Sequence, residues 1–282
     1  MRNNAKTALI LAAIGMLLVR VGGAGAGSSG ALIGLVIGLV FVGGSYWFSD
    51  RLALRSARAV EVTAEQMPRY HAIVADLAQR AEIPMPRLYV SPDPQPNAFA
   101  TGRSPQHAAV CVNQGILDVL TWEELQGVLA HELSHVRNRD ILIGSVAAAV
   151  AMGITMLARV AMWGAMFGGG GDRNRDNGIG ALALAILAPI AAMFLQMALS
   201  RSREYEADRS GARLLGTGEP LARALEKLDA GTRAVPPTLV SPAQAGAYIA
   251  NPFNGWKTDF AFSTHPPMAD RIARLRSGEW QR

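Results

Sequence analysis

One cysteine, five histidines and a charged fraction of 17% set the first limits on this 282-residue chain. A lone thiol, Cys111, excludes an internal disulfide and fits a reducing compartment. It falls in the run Ala108-Ala109-Val110-Cys111-Val112, which reads as a strand, so a small buried residue is expected there. The charged fraction is below the roughly 25% of ordinary soluble domains. In a chain that is 50% hydrophobic, this points to membrane segments. The net charge of +5 does not make a nucleic-acid binder. The arginines lie next to apolar runs and not along one amphipathic stripe, a pattern that fits the cytoplasmic flanks of membrane helices. Among so few histidines, a pair at a chemically meaningful spacing carries weight.

Four apolar stretches stand out: Thr7 to Val21, Ala31 to Phe48, Ile141 to Phe167 and Ile179 to Leu199. A spanning helix needs about 20 apolar residues, and the second and fourth meet that well. The first is short, with Arg20 able to snorkel to the interface, and it begins as a signal peptide would. The second run follows at once, across the Gly/Ser-rich link Gly22 to Gly30, and turns the pair into a helical hairpin. The third carries Arg159, which either faces a polar cavity or marks a run that does not fully span. Arg2, Lys6, Arg51, Arg55, Arg58, Arg137, Arg139, Arg201 and Arg203 flank one side of these runs. The opposite side has only Arg173 and Arg175, beside Asp172 and Asp176. The bias places both termini and all long polar segments in the cytoplasm.

The expected architecture is a mostly α membrane protein with four apolar helices and a cytoplasmic α+β domain containing a small edge-strand sheet; the spacing His131-Glu132-x-x-His135 within it is the zincin arrangement and makes the domain a zincin-like catalytic one. Residues 1–49 form a transmembrane hairpin and 50–140 the first catalytic part. Residues 141–199 form a second hairpin and 200–282 the second catalytic part. Within 50–140, Ala64 to Glu82 reads as an amphipathic helix. Arg87 to Val90, Asn97 to Thr101 and His107 to Asn113 read as strands. Thr121-Trp122-Glu123-Glu124 reads as a capping box opening a helix that continues into the third apolar run. In the second part, Ser200 to Leu215 and Glu219 to Asp229 read as helices, and Val235 to Trp256 as a loop.

That capped helix carries His131-Glu132-Leu133-Ser134-His135. Positions i and i+4 share a helix face, so the two imidazoles can hold one metal, with Glu132 beside them to take a proton from a water. Catalytic zinc usually takes three protein ligands, and the third must come from the same side of the membrane. The hairpin 141–199 returns the chain just before Glu204 and Asp208, again at i and i+4. Glu204 then serves as ligand and Asp208 as hydrogen-bond acceptor for a ligand imidazole. The plainer alternative pairs these acids with Arg201 or Arg209 on a solvated face. Asp140 is an interfacial residue or lies behind a ligand. His71 and His107 read as surface residues.

The sequence His131-Glu132-x-x-His135, a hydrophobic hairpin and Glu204-x-x-x-Asp208 together resemble the HtpX-type membrane metallopeptidases, grouped with the CAAX prenyl proteases among the gluzincins. Asn97-Ala98-Phe99-Ala100-Thr101-Gly102 resembles that family's substrate strand, Arg203 to Asp208 its metal-ligand helix, and Thr264-His265-Pro266-Pro267 its C-terminal histidine motif. The resemblance implies a bacterial inner-membrane endopeptidase with one zinc ion per chain, cutting misfolded or damaged membrane proteins on the cytoplasmic side as part of stress-responsive quality control. It implies Glu132 as general base. His265 is either an oxyanion donor or a turn histidine before two prolines. Asn97, Ala98 and Phe99 would line an extended substrate by strand addition, although Asn97 also reads as a turn residue after Pro96. Three other functions fit less well. A site-2-type protease would place the motif inside an apolar run, and here Glu123, Glu124, Arg137, Asn138, Arg139 and Asp140 flank it. A catalytically silent scaffold would have lost Glu132 or a ligand. A prenyl-protein endopeptidase would need a lipid-accepting chamber for which four helices are too few.

Overall fold

The computed structural model describes residues 47–140, 201–234 and 266–281, with Leu32, Val36, Val40, Gly44 and Ile249 as isolated positions. The first, third and fourth apolar runs, most of the second, Arg159, His265 and most of the 235–256 loop lie outside the described residues. Among the described residues no helix is long and apolar enough to cross a membrane.

The first catalytic part opens with α1 (Ser49–Ser56), β1 (Val60–Glu61), α2 (Pro68–Arg80), β2 (Arg87–Ser91), β3 (Ala98–Gly102), β4 (Ala108–Asn113), α3 (Gln114–Val119) and α4 (Trp122–Asn138). The second part adds α5 (residues 201–215), α6 (Glu219–Ala234) and α7 (Met268–Arg276). The sheet order is β1-β2-β4-β3. β2 and β4 pair in parallel, while β1 and β3 join antiparallel at the two edges. β4 is buried at every position, as an apolar strand covered on both faces must be. Its side chains alternate: Ala108, Val110 and Val112 face the main core, and Ala109 and Cys111 face a smaller one under α1. Cys111 is fully buried as expected, and burial pushes its thiol up to about 12.

The expected helix Ala64 to Glu82 is shorter, beginning at Pro68 and ending at Arg80. Pro68 lacks an N–H and fits the first helical turn, where none is needed, and it disfavours helical backbone in the residue before it. The helix stops ahead of Glu82, whose φ of 54° is left-handed. The helix expected over Glu219 to Asp229 runs on to Ala234.

The capping box of α4 is present as predicted. Glu124 N–H donates to Thr121 Oγ1 at 3.3 Å, and Thr121 N–H donates to Glu124 Oε2 at 2.8 Å. Lys227 on α6 donates to the same Glu124 oxygen at 2.7 Å, which ties the helix start to its neighbour. The expected continuation into the third apolar run is not found. Arg139 adopts φ 60° and ψ 28°, and its N–H closes the helix on His135 and Val136 carbonyls. A non-glycine residue there costs on the order of 1 kcal/mol. The turn it makes brings Asp140 back beneath the helix.

α4 lies under the sheet, packed against β3, α2 and α6. The main core joins Tyr70, Val74 and Leu77 of α2 with Leu125, Val128, Leu129 and Leu133 of α4 and Leu221, Leu225 and Leu228 of α6. Gly127 sets the distance between α4 and α6, because a Cβ there would lie 2.5 Å from Leu221 N and 2.8 Å from Leu221 Cα. Gly127→Ala gains about 1 kcal/mol in helix propensity but drives a methyl into backbone, at a cost of about 1–3 kcal/mol. The midpoint of thermal unfolding is expected to fall; a rise would show that α6 gives way freely.

Candidate active site

α4 turns His131, Glu132 and His135 toward the segment supplied by α5. The two imidazoles meet edge-on, with ring centroids 4.7 Å apart and an interplanar angle of 90°. Their Nε2 atoms are 3.2 Å apart. Glu204 completes the triangle, its Oε2 3.6 Å from His131 Nε2 and its Oε1 3.5 Å from His135 Nε2. α5 comes this close because Gly211, two turns after Glu204, rests on the α4 backbone. A Cβ at Gly211 would be 3.0 Å from His131 N.

Behind each ring stands a carboxylate. Asp208 Oδ1 is 2.9 Å from His131 Nδ1, approaching off the ring's N–H direction. Asp140 Oδ2 is 3.4 Å from His135 Nδ1. The predicted second acid is therefore in place, and the left-handed turn at Arg139 supplies another. Asp208 is itself gripped by Arg271 of α7, whose Nε and Nη2 donate to its two oxygens at 2.8 and 2.7 Å. Arg271 is fully buried and also donates to the Ile249 carbonyl at 3.0 Å. Burial alone would raise the Asp208 carboxyl, but Arg271 and His131 bring it down to about 2.

Sequence reading missed Arg271. The signal was there: Met268, Arg271, Ile272 and Leu275 fall on one stripe of α7, and the charge interrupts an apolar face.

Glu132 is 6% exposed and faces the sheet edge, where its Oε2 accepts the Ala100 N–H at 2.9 Å. Burial raises its carboxyl above the usual range, the two histidines oppose this and Glu204 adds to it. A carboxylate with increased proton affinity suits a general base.

The donor set tests whether a cation belongs here. The carboxylates beside the two Nδ1 atoms, Asp208 at 2.9 Å from His131 and Asp140 at 3.4 Å from His135, favour a proton on each Nδ1, which leaves both Nε2 lone pairs inward, toward each other and toward Glu204. Three electron-rich atoms converging within 4.8 Å call for a shared positive centre. Burial would lower the His135 imidazole, but Asp140 and Glu204 overcome that and push it up to about 10. Four carboxylates (Glu132, Asp140, Glu204 and Asp208) surround the histidines, while Arg203 and Arg271 bring two positive charges. The deficit matches a divalent ion, and two imidazoles with one carboxylate suit zinc.

β3 provides the open wall. Asn113 N–H donates to Asn97 O at 2.8 Å. By antiparallel alternation, positions 97, 99 and 101 bond to β4, and Ala98, Ala100 and Gly102 present their backbone groups to the outer edge, which no strand among the described residues covers. The expected substrate residues thus separate. Ala98 faces the site side of the sheet, whereas the Phe99 side chain packs in the small core with Leu54 and Tyr89. The Asn97 side chain is committed within the chain, its Oδ1 accepting the Ile249 N–H at 3.1 Å. His71 binds the Val62 carbonyl and His107 meets Ser104, both away from the site.

Removing one partner of the Arg271–Asp208 pair leaves a buried, uncompensated charge, worth about 3–5 kcal/mol. Arg271→Met should lose that much stability near neutral pH in denaturant unfolding. Asp208 sits at about 2 in the fold against 3.8 ordinarily, so its stabilisation is present above 3.8 and lost as pH falls through about 2. In the variant, burial acts unopposed by the guanidinium and the carboxyl protonates at higher pH. The deficit should therefore narrow as pH is lowered. A pH-independent deficit would assign Arg271 a packing role alone.

The profile of peptidase family M48 matches residues 64–279, which span every element of the site. The "Protease HtpX homolog" of Pelotomaculum thermopropionicum is 49% identical over 278 residues, covering 98% of this chain and 99% of that protein. That of Syntrophobacter fumaroxidans is 49% identical over 276 residues, covering 96% and 98%. That of Thermococcus kodakarensis is 48% identical over 274 residues, covering 96% and 94%. The crystal structure of S. mikatae Ste24p shares the fold at a TM-score of 0.52 and 19% identity, covering 86% of this chain and 57% of that one. With a family profile over the whole catalytic region and relatives alike end to end, this chain belongs to peptidase family M48 and is a metalloprotease.

Proposed function

We propose that this metalloprotease is a zinc endopeptidase of a membrane, cutting misfolded or damaged membrane proteins on the cytoplasmic side. The observation that carries the chemistry is the convergence of His131 Nε2, His135 Nε2 and Glu204 beside a buried Glu132, under the free edge of β3. His131, His135 and Glu204 would hold the ion. A bound zinc would acidify a water and polarise the scissile carbonyl. Asp208 and Asp140 fix the imidazoles from behind and keep their protons on Nδ1. Glu132 accepts the proton of the attacking water and returns it to the leaving amine. The outward-facing backbone groups of Ala98 and Ala100 would pair with an extended substrate, which would take the Ala100 N–H from Glu132, aligning its carbonyl over α4. His265, by its motif, would donate to the developing oxyanion.

The membrane reading is supported by the four apolar runs and by the one-sided distribution of arginines around them. The same distribution supports a multi-pass chain with the site and both termini in the cytoplasm. The bilayer and unfolded or membrane-embedded polypeptides are the proposed partners; nucleic acid is not among them.

Glu132→Gln should retain about one zinc per chain while kcat/KM on an unfolded casein-like substrate drops by about 10²–10⁴. Glu204→Ala should lose the metal as well as the activity, and a chelator should reproduce that loss in the unmodified protein. Undiminished cleavage by Glu132→Gln would remove Glu132 from the base role, and full zinc content in Glu204→Ala would remove Glu204 from the ligand set.

A further inference from the structure

Helix α1 distributes its charges unequally. Asp50 is turned inward, accepting from Arg87 Nη2 at 2.7 Å. Leu54 packs into the small core against Phe99 and Cys111. Arg51, Leu52 and Arg55 are left exposed on the outer side. Just before them stand two exposed aromatics, Trp47 at 58% and Phe48 at 46%. The Phe48 N–H donates to Gly44 O and the Leu52 N–H to Phe48 O, so these aromatics continue a helical path. Upstream, Leu32, Val36 and Val40 lie in helical backbone four residues apart, at 63%, 52% and 70% exposure.

Cations stand over both aromatics. The Arg51 guanidinium is 5.7 Å from the Phe48 ring centroid. The Arg103 guanidinium is 4.7 Å from that of Trp47. Arg103 comes from a different part of the chain, the residue directly after β3. The carboxylates of α1 and β1, Asp50 and Glu61, are engaged with Arg87 and Tyr89. Along one line the surface therefore passes from aliphatic to aromatic to cationic. A bilayer presents the complementary order, from acyl chain to interface to anionic headgroup.

We infer that the face made by Trp47, Phe48, Arg51, Arg55 and Arg103 seats on anionic lipid headgroups and holds the Gly102 end of β3 at the bilayer surface. This rests on the membrane reading above and adds the lipid chemistry and the orientation of the substrate strand. The coupling is direct, because Arg103 follows the last residue of the strand and Leu54 of α1 packs on its Phe99. A polypeptide adding to β3 would then be drawn from segments lying within or just leaving the headgroup layer.

The test uses the full chain in vesicles of phosphatidylcholine alone or with phosphatidylglycerol. A fluorophore is attached through Gln106→Cys, an exposed position three residues after Arg103; the buried Cys111 stays unlabelled. Quenching by headgroup-attached nitroxide reports how closely the end of β3 approaches the surface. The expected result is stronger quenching with phosphatidylglycerol. Arg103→Gln should lower the docked-to-undocked ratio about fivefold, as should Arg51→Gln. The thermal midpoint shows whether each variant stays folded, and either variant suffices. A chain that floats with the vesicles while its quenching ignores both lipid charge and the folded variants overturns the headgroup site and leaves the membrane reading standing. A chain that does not float with either vesicle removes both.

Discussion

The site depends on one carboxylate, Asp208, held between a guanidinium and an imidazole. Taking charges out of water costs several kcal/mol each unless every donor and acceptor is matched. Arg271 meets that cost with two parallel hydrogen bonds, and Asp208 in turn faces His131. Three helices far apart in sequence are tied together there, because Asp208 lies on α5, His131 on α4 and Arg271 on α7. Through Ile249, Arg271 also reaches Asn97, the residue just before β3. The ligand geometry and the strand geometry are thus set by one buried polar chain.

Close packing makes that chain possible. Gly211 lets α5 touch the backbone of α4 at His131, and Gly127 lets α6 do the same one turn earlier. Side chains as short as those of aspartate and glutamate reach the imidazoles only because the helices approach to backbone contact. The Arg139 turn performs a comparable service for Asp140, using unusual backbone where glycine is absent.

Much of this was legible in the sequence, for reasons that differ by residue. The two histidines and Glu132 follow from helical periodicity, a local property. Thr121 and Glu124 follow from capping chemistry, also local. Glu204 needed a topological step, the return of the chain after an apolar hairpin. The edge position of β3 was legible from its motif but its hydrogen-bond parity was not, and parity decides that Phe99 faces away from the site. Arg271 was missed because buried charges are recognised by their partners, and Asp208 lies 63 residues away. The break at Arg139 was missed because nothing in an arginine signals a left-handed turn; the packing that imposes it is tertiary. Asn97 read as equally suited to turn or substrate because its partner, Ile249, is 152 residues distant.

The hydrogen bond between Ala100 N–H and Glu132 carries a consequence for timing. The group that Glu132 holds lies on the outer edge of β3, where the proposed function places an extended peptide. A peptide pairing at Ala100 competes with Glu132 for that donor, so arrival of the chain to be cut and release of the base become a single event. On that proposal the protein without substrate keeps its proton acceptor tethered, and the substrate itself would remove the tether.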